Sequence, residues 1–355
     1  TLTLKDDNQK AGSLTATGGS YSAGIGGSYW GSGENITING GTVTATGSYY
    51  GAGIGGGENG SGKNITINGG TVNAKGGSQG AGIGGGSDGS GENITINSGT
   101  VTAAGGSYGA GIGGGYWGDY KSGNGGKDIT INGGTVTATG GYLGAGIGGG
   151  GIGMYDGYTN GENITINGGT VTATGGDRGA GIGGGESGSG SNVTVSGAAQ
   201  VTATAGKSNG SYGAGATIGN GGSKTPDGPV DGKEIQADIS HLTTGYIHHI
   251  IYNPDLDLDG KPDGILKEWW EFALPKPIPD GESLDLHVET LKGAPLLFNT
   301  RQQGSTLRVT TDNLSARLHG TRQALETLQE QGVEQIQFVT SFKTTTLSVE
   351  DLLAE

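Results

Sequence analysis

Two groups of residues in this 355-residue chain have types and spacings suited to chemistry. The first is the run Asp255-Leu256-Asp257-Leu258-Asp259-Gly260-Lys261-Pro262-Asp263-Gly264. Acids at its first, third, fifth and ninth positions, with glycine at the sixth, reproduce the opening of a calcium loop. The spacing folds the carboxylates around one hard cation, and Gly260 permits the sharp turn. The expected ligands are the side chains of Asp255, Asp257, Asp259 and Asp263 with the carbonyl of Lys261. The ion would be structural, since no base or nucleophile accompanies it. The competing reading is a solvated acidic turn. The bidentate glutamate that closes an EF-hand would fall at Leu266, and Glu268 comes two residues late.

The second group is aromatic. Tyr29, Trp30, Tyr116, Trp117, Tyr120, Tyr155 and Tyr158 fall in one recurring loop of variable length. Tyr21, Tyr50, Tyr108 and Tyr212 share another recurring position, two residues before an alanine. Loops on a rigid scaffold commonly carry function. Flat rings among Gly, Ser, Asn and Asp suit carbohydrate, whose C–H faces stack on aromatics while the hydroxyls find polar partners. The competing reading is a lid of rings over a glycine-rich face, with the Tyr21 series as a stacked ladder. A grid of outward threonines (Thr42, Thr44 and Thr46 and their repeats) resembles the ice-binding faces of β-solenoid antifreeze proteins. Asn73, Lys75 and Ala104 interrupt it, and threonine is an ordinary outward strand residue.

Other chemistries find little footing. A polysaccharide lyase would need clustered acids and an Arg or Lys base on one face, whereas residues 1–222 hold a single arginine, Arg178, no histidine and scattered acids. His248 and His249 have no partner at metal-ligand spacing. The glycine runs precede no helix, so they are not phosphate loops. Net charge is -14, with no basic run to suit nucleic acid or an anionic membrane. Cysteine is absent, which excludes thiolate and disulfide chemistry. No apolar span of membrane length and no signal peptide is present.

These residues need elements to position them, and a repeat supplies those elements. Ile25, Ile54, Ile83 and Ile112 stand 29 residues apart, and the next two intervals, to Ile147 and Ile182, are 35. The six added residues all fall between the glycine run and an Ile-Thr-Ile block, which is where a solenoid places insertions. Each unit holds three alternating segments: Ile36-Thr37-Ile38, Thr42-Val43-Thr44-Ala45-Thr46 and Ala52-Gly53-Ile54-Gly55, with their copies. Period-two alternation bounded by glycine reads as strand. Stacking three-strand coils at about 4.8 Å buries all of the Ile, Val and Ala positions together. The expected fold is an all-β parallel β-helix (a β-solenoid) of about seven coils over residues 1–222. Asn39, Asn68, Asn97, Asn132 and Asn167 occupy one turn position and should stack as an amide ladder.

Composition then changes. Residues 223–233, with two prolines and two glycines, read as a linker, and 234–355 as a smaller α+β domain that contains the calcium-type loop. Within it, Ser283–Glu289, Ser305–Thr311 and Ile336–Thr340 read as strands, and Thr321–Gln331 reads as a helix ended by Gly332. Ser348 caps a last helix. The chain opens mid-strand at Thr1–Leu4, as a fragment of a longer protein would.

The run Gly-Ala-Gly-Ile-Gly-Gly-Gly, followed by Asn-Ile-Thr-Ile-Asn-Gly-Gly-Thr-Val-Thr-Ala-Thr-Gly-Gly, resembles glycine-rich β-helix repeats of Firmicutes cell-surface proteins. More loosely it is similar to clostridial carbohydrate-binding β-helix proteins. The Asp255–Asp263 run is similar to the calcium loops of thrombospondin type 3 and related bacterial surface repeats. These resemblances imply extracellular display on a Gram-positive cell and binding of a polysaccharide or a host or plant glycan, or adhesion. With the lack of a catalytic constellation, the expected protein is a monomeric, non-catalytic adhesin or carbohydrate-binding module. A purely structural stalk is the alternative; a lyase and an ice-binding protein have less support.

Overall fold

The computed structural model describes residues 1–6, 12–118, 123–152, 159–208, 211–253, 264–272, 286–291, 293, 295–296, 298–311 and 313–354. The repeats wind into a parallel β-helix with three sheets. The first sheet runs Leu2–Leu4, Gly33–Ile38, Gly62–Ile67, Gly91–Ile96, Gly123–Ile131, Thr159–Ile166 and Gly190–Val195. The second begins Ser13–Thr17, Thr42–Thr46, Thr71–Lys75 and continues coil by coil to Gln200–Thr204. The third stacks the seven Ile-Gly pairs from Ile25–Gly26 to Ile218–Gly219. Register follows the sequence repeat: Ile36 pairs with Ile65, Val43 with Val72 and Ile25 with Ile54. It survives the longer loops, since Ile94 still meets Ile129.

The inward assignment holds throughout. Ile65, Ile67, Val72, Ile83, Ile94 and Ile96 are wholly buried, and one continuous apolar core runs from Ile25 to Ile247. Because the side-chain period is two, a one-residue slip would turn every isoleucine outward, so burial itself fixes the register. Polar ladders reinforce it on the outside. The Asn39 series stacks as expected: Asn68 Nδ2 donates to Asn39 Oδ1 at 2.7 Å, and the chain of bonds continues through Asn97 and Asn132 to Asn167. A second ladder was not anticipated. Asn35, Asn64, Asn93, Asp128, Asn163 and Asn192 all adopt left-handed backbone within the first-sheet strands, a conformation Asn and Asp tolerate best after glycine. Four amide bonds link neighbours within this series, such as Asn64 Nδ2 to Asn35 Oδ1 at 3.1 Å. One place earlier, Glu34, Lys63, Glu92, Lys127 and Glu162 pair in register with alternating sign. Lys63 Nζ lies 3.3 Å from Glu92 Oε2.

The boundary between units lies elsewhere than the sequence suggested. Residues 1–273 form one compact unit and 274–355 a second. The expected linker 223–233 includes a short hairpin, Ser223–Thr225 with Gly228–Val230. Residues 234–273, expected in the C-terminal domain, instead close the solenoid. Tyr246–Tyr252 adds in parallel to Gln200–Thr204, and Ile265–Phe272 adds antiparallel to that. Ala237, Ile239, Leu242 and Ile247 plug the end of the core. The physical reason is that an open β-helix end exposes both core and strand edges.

Thr217 shows how this end differs. It stands where earlier coils place Gly24, Gly53, Gly82, Gly111, Gly146 and Gly181. A Cβ at Gly82 would sit 2.6 Å from the Gly111 carbonyl oxygen of the next coil, whereas Thr217 has no further coil above it. The Glu234 carboxylate takes the place of that coil, accepting from the Thr217 and Ile218 amides at 2.7 and 3.1 Å and from the Thr217 hydroxyl at 2.8 Å. His249, buried, places Nδ1 2.6 Å from the same hydroxyl and stacks on Trp269.

The second unit is α+β. A four-stranded sheet orders Asn299–Gln303, Thr306–Thr310, Gln335–Val339 and Thr344–Ser348, and a three-stranded sheet combines Leu286–Glu289, Pro295–Leu296 and Arg317–Gly320. The helix Arg322–Glu330 is capped by Thr321, whose hydroxyl accepts from the Ala324 amide at 3.2 Å, and Gly332 turns left-handed after it. Ser348 caps Val349–Ala354 through the Asp351 amide. The core gathers Val288, Val309, Leu328, Val333, Ile336 and Val349.

Candidate functional site

The calcium-type residues Asp255, Asp257, Asp259, Lys261 and Asp263 lie outside the described residues, as do Tyr120, Tyr155 and Tyr158. Among the described residues no group of three His, Asp or Glu side chains could hold a metal ion. Tyr29, Trp30, Tyr116 and Trp117 are described, and the stacking of coils arranges them.

Two turns of each coil project side by side. One carries Tyr21, Tyr50, Gln79, Tyr108, Leu143 and Arg178. The other, eight residues later, carries Tyr29, Glu58, Ser87, Tyr116, Gly151 and Glu186. After Tyr29, each residue of the second column donates its amide to the carbonyl of the first column one coil earlier: Glu58 to Tyr21 at 2.9 Å, Ser87 to Tyr50 at 2.7 Å, Tyr116 to Gln79 at 2.8 Å, Gly151 to Tyr108 and Glu186 to Leu143 at 2.8 Å. The columns therefore form one ladder of six rungs. Facing side chains interact across most rungs. Tyr21 and Tyr29 rings lie 5.4 Å apart, and Tyr108 and Tyr116 5.1 Å apart. Ser87 Oγ reaches Gln79 Oε1 at 3.0 Å, and Arg178 Nη1 bonds Glu186 Oε1 at 2.6 Å. The Tyr21 series and the loop aromatics, separate in the sequence, thus share one face. The spacing of eight was the signal that could have joined them.

Beside the second column runs a third, of Trp30, Asn59, Asp88, Trp117, Ile152 and Ser187. The Trp30 amide donates to Glu58, the Asn59 amide to Ser87, the Asp88 amide to Tyr116 and the Trp117 amide to Gly151. Trp117 bridges Ile152 in parallel. Trp30 and Trp117 are therefore in one column, three coils apart, or about 14 Å along the stack. Trp30, Asn59, Asp88 and Ser187 all have positive φ, near +58° at Trp30. Asn, Asp and Ser enter that region readily; a bulky indole does so at a cost of order 1–3 kcal/mol.

The two ends of the aromatic face differ. At the first rungs Tyr21 stacks on Tyr50 at 5.5 Å, Tyr49 meets Tyr50 edge-on at 4.7 Å, and Tyr29 meets Trp30 at 6.0 Å. Trp30 is 69% exposed. At the fourth rung Tyr116 and Trp117 are half-buried, and the Trp117 indole nitrogen is shielded and without a partner. Between them in the columns stand two acids, Glu58 and Asp88. Burial, with the Asp88 carboxylate beside it, pushes the Glu58 carboxyl above its usual range. Burial, then Asp88 and Tyr108, push the Tyr116 phenol up. Asp88 accepts from the Gly118 amide at 2.7 Å.

Of the histidines, His248 bonds Glu268 at 2.6 Å and stacks on Trp270 at 3.8 Å, so it belongs to the cap rather than to a metal site. The outward threonines stack in register on the second sheet, broken at Asn73, Lys75 and Ala104.

A family model described as Beta helix repeat matches residues 10–29, 36–58, 65–87, 94–116, 129–151 and 164–186. The matched segments are β-helix repeats. Each full match of the β-helix repeat begins at an Ile-Thr-Ile strand and ends after the glycine run, which leaves out the turn that varies in length and carries Trp117. No curated protein and no solved structure matches the chain. No helix among the described residues is long and apolar enough to cross a membrane.

Proposed function

We propose that the chain is a non-catalytic, glycan-binding part of a protein displayed outside a Gram-positive cell, and that the tyrosine and tryptophan columns are its binding face. The observation that carries this reading is Trp30. The fold places an indole in a left-handed turn, where the other left-handed members of its column are Asn59, Asp88 and Ser187, and leaves it 69% exposed. Packing does not require it, so the strain points to recognition. Around it, Tyr21, Tyr29, Tyr49 and Tyr50 form a contiguous aromatic patch of the kind sugar rings stack on. The stacked column favours a polymer lying along the axis, bound weakly per site and strengthened by repetition. The chain acts as a monomer in this reading. The Asp255–Asp263 run adds a structural calcium ion, a proposal that rests on the sequence.

A spacer reading is favoured by the Gln79–Ser87 and Leu143–Gly151 rungs, which carry no ring. Affinity electrophoresis across plant, mucin and cell-wall polysaccharides separates the two. A glycan binder is retarded by at least one polysaccharide, and Trp30→Ala with Trp117→Ala abolishes the retardation while melting like the parent. Free migration of the parent through all of them leaves the spacer reading in place.

A further inference from the structure

The sixth rung shows how this face satisfies a glutamate. Glu186 pairs with Arg178, whose guanidinium also bonds the Tyr142 hydroxyl at 3.1 Å and lies 3.4 Å over the Tyr212 ring. A cation is thus held between a carboxylate and tyrosine faces. The second rung repeats half of that arrangement. Glu58 takes the place of Glu186, and Tyr50, stacked on Tyr21 and touched by Tyr49, takes the place of Arg178. Rings and carboxylate are present; among the described residues no Lys or Arg pairs with Glu58. The Glu58 side chain is half-buried; its Oε2 is shielded and accepts no hydrogen bond from the described residues, and Asp88 places a second carboxylate beside it. An unpaired carboxylate oxygen removed from water is costly, so a group that supplies positive charge there is stabilised.

We propose that the part of this face between Trp30 and Trp117 selects glycans with free amino groups, the ammonium of a glucosamine-type residue taking the place at Glu58 and Asp88 that Arg178 takes at Glu186. This rests on the glycan-binding reading and narrows it to one substrate class. The aromatic columns stack the sugar rings, and the carboxylates read the charge. Uronic acid polymers, which bring carboxylates to carboxylates, are rejected by the same two residues. A basic peptide would satisfy Glu58 as well, and its cations would also meet ring faces as Arg178 does; a column of rings over several coils suits a run of flat sugar rings better.

The test is calorimetric titration of the intact chain with a glucosamine hexamer, its fully N-acetylated counterpart, an oligogalacturonate and oligolysine, at about pH 5.5, where the amine is charged. A charge-assisted contact makes the amino hexamer bind roughly tenfold or more tightly than the acetylated one. Added salt weakens that preference, and Glu58→Gln or Asp88→Asn, each checked to melt no lower than the parent, brings the two affinities together. Binding of the acetylated hexamer with no preference for the free amine overturns this inference and leaves the glycan reading standing. A preference that survives both substitutions also overturns it. Failure of every sugar overturns both, and oligolysine binding more tightly than the amino hexamer replaces the sugar with a basic peptide.

Discussion

Replacing Gly82 with alanine tests the stacking that positions every rung. Its backbone is not left-handed, so the effect is purely steric. An added Cβ would stand 2.6 Å from the Gly111 carbonyl oxygen, 2.7 Å from the Ala104 nitrogen and 2.9 Å from the Ala104 oxygen. Ordinary contact begins at 3.4 Å, so backbone atoms of two strands must yield by 0.5–0.8 Å. Those atoms are held in ladders on both sides and cannot turn away as a side-chain end would. Overpacking of this kind costs about 1–3 kcal/mol, and the loss of glycine's unfolded-state freedom returns roughly 0.4–1 kcal/mol. Gly69→Ala is the matched control, because its Cβ meets nothing closer than 3.6 Å; it should be neutral or stabilising by up to about 1 kcal/mol. The two variants should therefore differ by roughly 2 kcal/mol in urea unfolding followed by circular dichroism, with unchanged slope. Equal midpoints would refute the backbone-to-backbone stacking at this corner.

Three further outcomes follow from the same geometry. Ile67→Asp places a charge at a wholly buried position and should cost several kcal/mol, seen as a large fall in melting temperature; an unchanged melt would contradict the inward face. Burial, then Asp88, raises the folded pKa of Glu58 above the ordinary glutamate value of 4.5, so its ionised form is disfavoured on folding. Its contribution is most favourable below the unfolded value and is lost as pH rises through the folded one. Glu58→Gln should therefore raise the melting temperature at neutral pH, and the gain should vanish below pH 4.5; a gain independent of pH would show another cause. Calcium should raise the melting temperature of the intact chain relative to chelator, because an ion that binds only the folded state stabilises it, and Asp257→Asn with Asp259→Asn should remove the difference. Coincident curves for the parent would remove the ion from the account.

The solenoid was legible because each of its determinants is local and repeated. Ile36-Thr37-Ile38 alternates, its copies keep register, and Asn39 marks the turn. The Asn35 ladder was equally visible as a recurring residue, but its left-handed backbone belongs to a strand interior, where alternation alone expects none. The cap was not legible. Tyr246-Ile247-His248-His249-Ile250 alternates like any strand, and nothing in it names Gln200–Thr204 as its partner. Pairing with an open sheet edge is decided by what else covers that edge, which is a property of the assembled fold. Thr217 held the local clue, a side chain in a column of glycines, and so marked the last coil. The aromatic face was half legible: loop position placed Trp30 and Trp117 in one column. Joining the Tyr21 series to them required knowing that turns eight residues apart lie side by side. Trp30's left-handed backbone could be inferred only by aligning it with Asn59, Asp88 and Ser187.

Hydroxyl-radical footprinting of the intact chain, with and without a saturating polysaccharide found by affinity electrophoresis, tests the binding face most directly. Protection should fall together on Tyr29, Trp30, Tyr49 and Trp117, while Trp270, 42% exposed on the capping hairpin, remains as reactive as in the free protein. Protection confined to Trp270 and its neighbours, or unchanged reactivity at Trp30 under saturation, would contradict the assignment of this face.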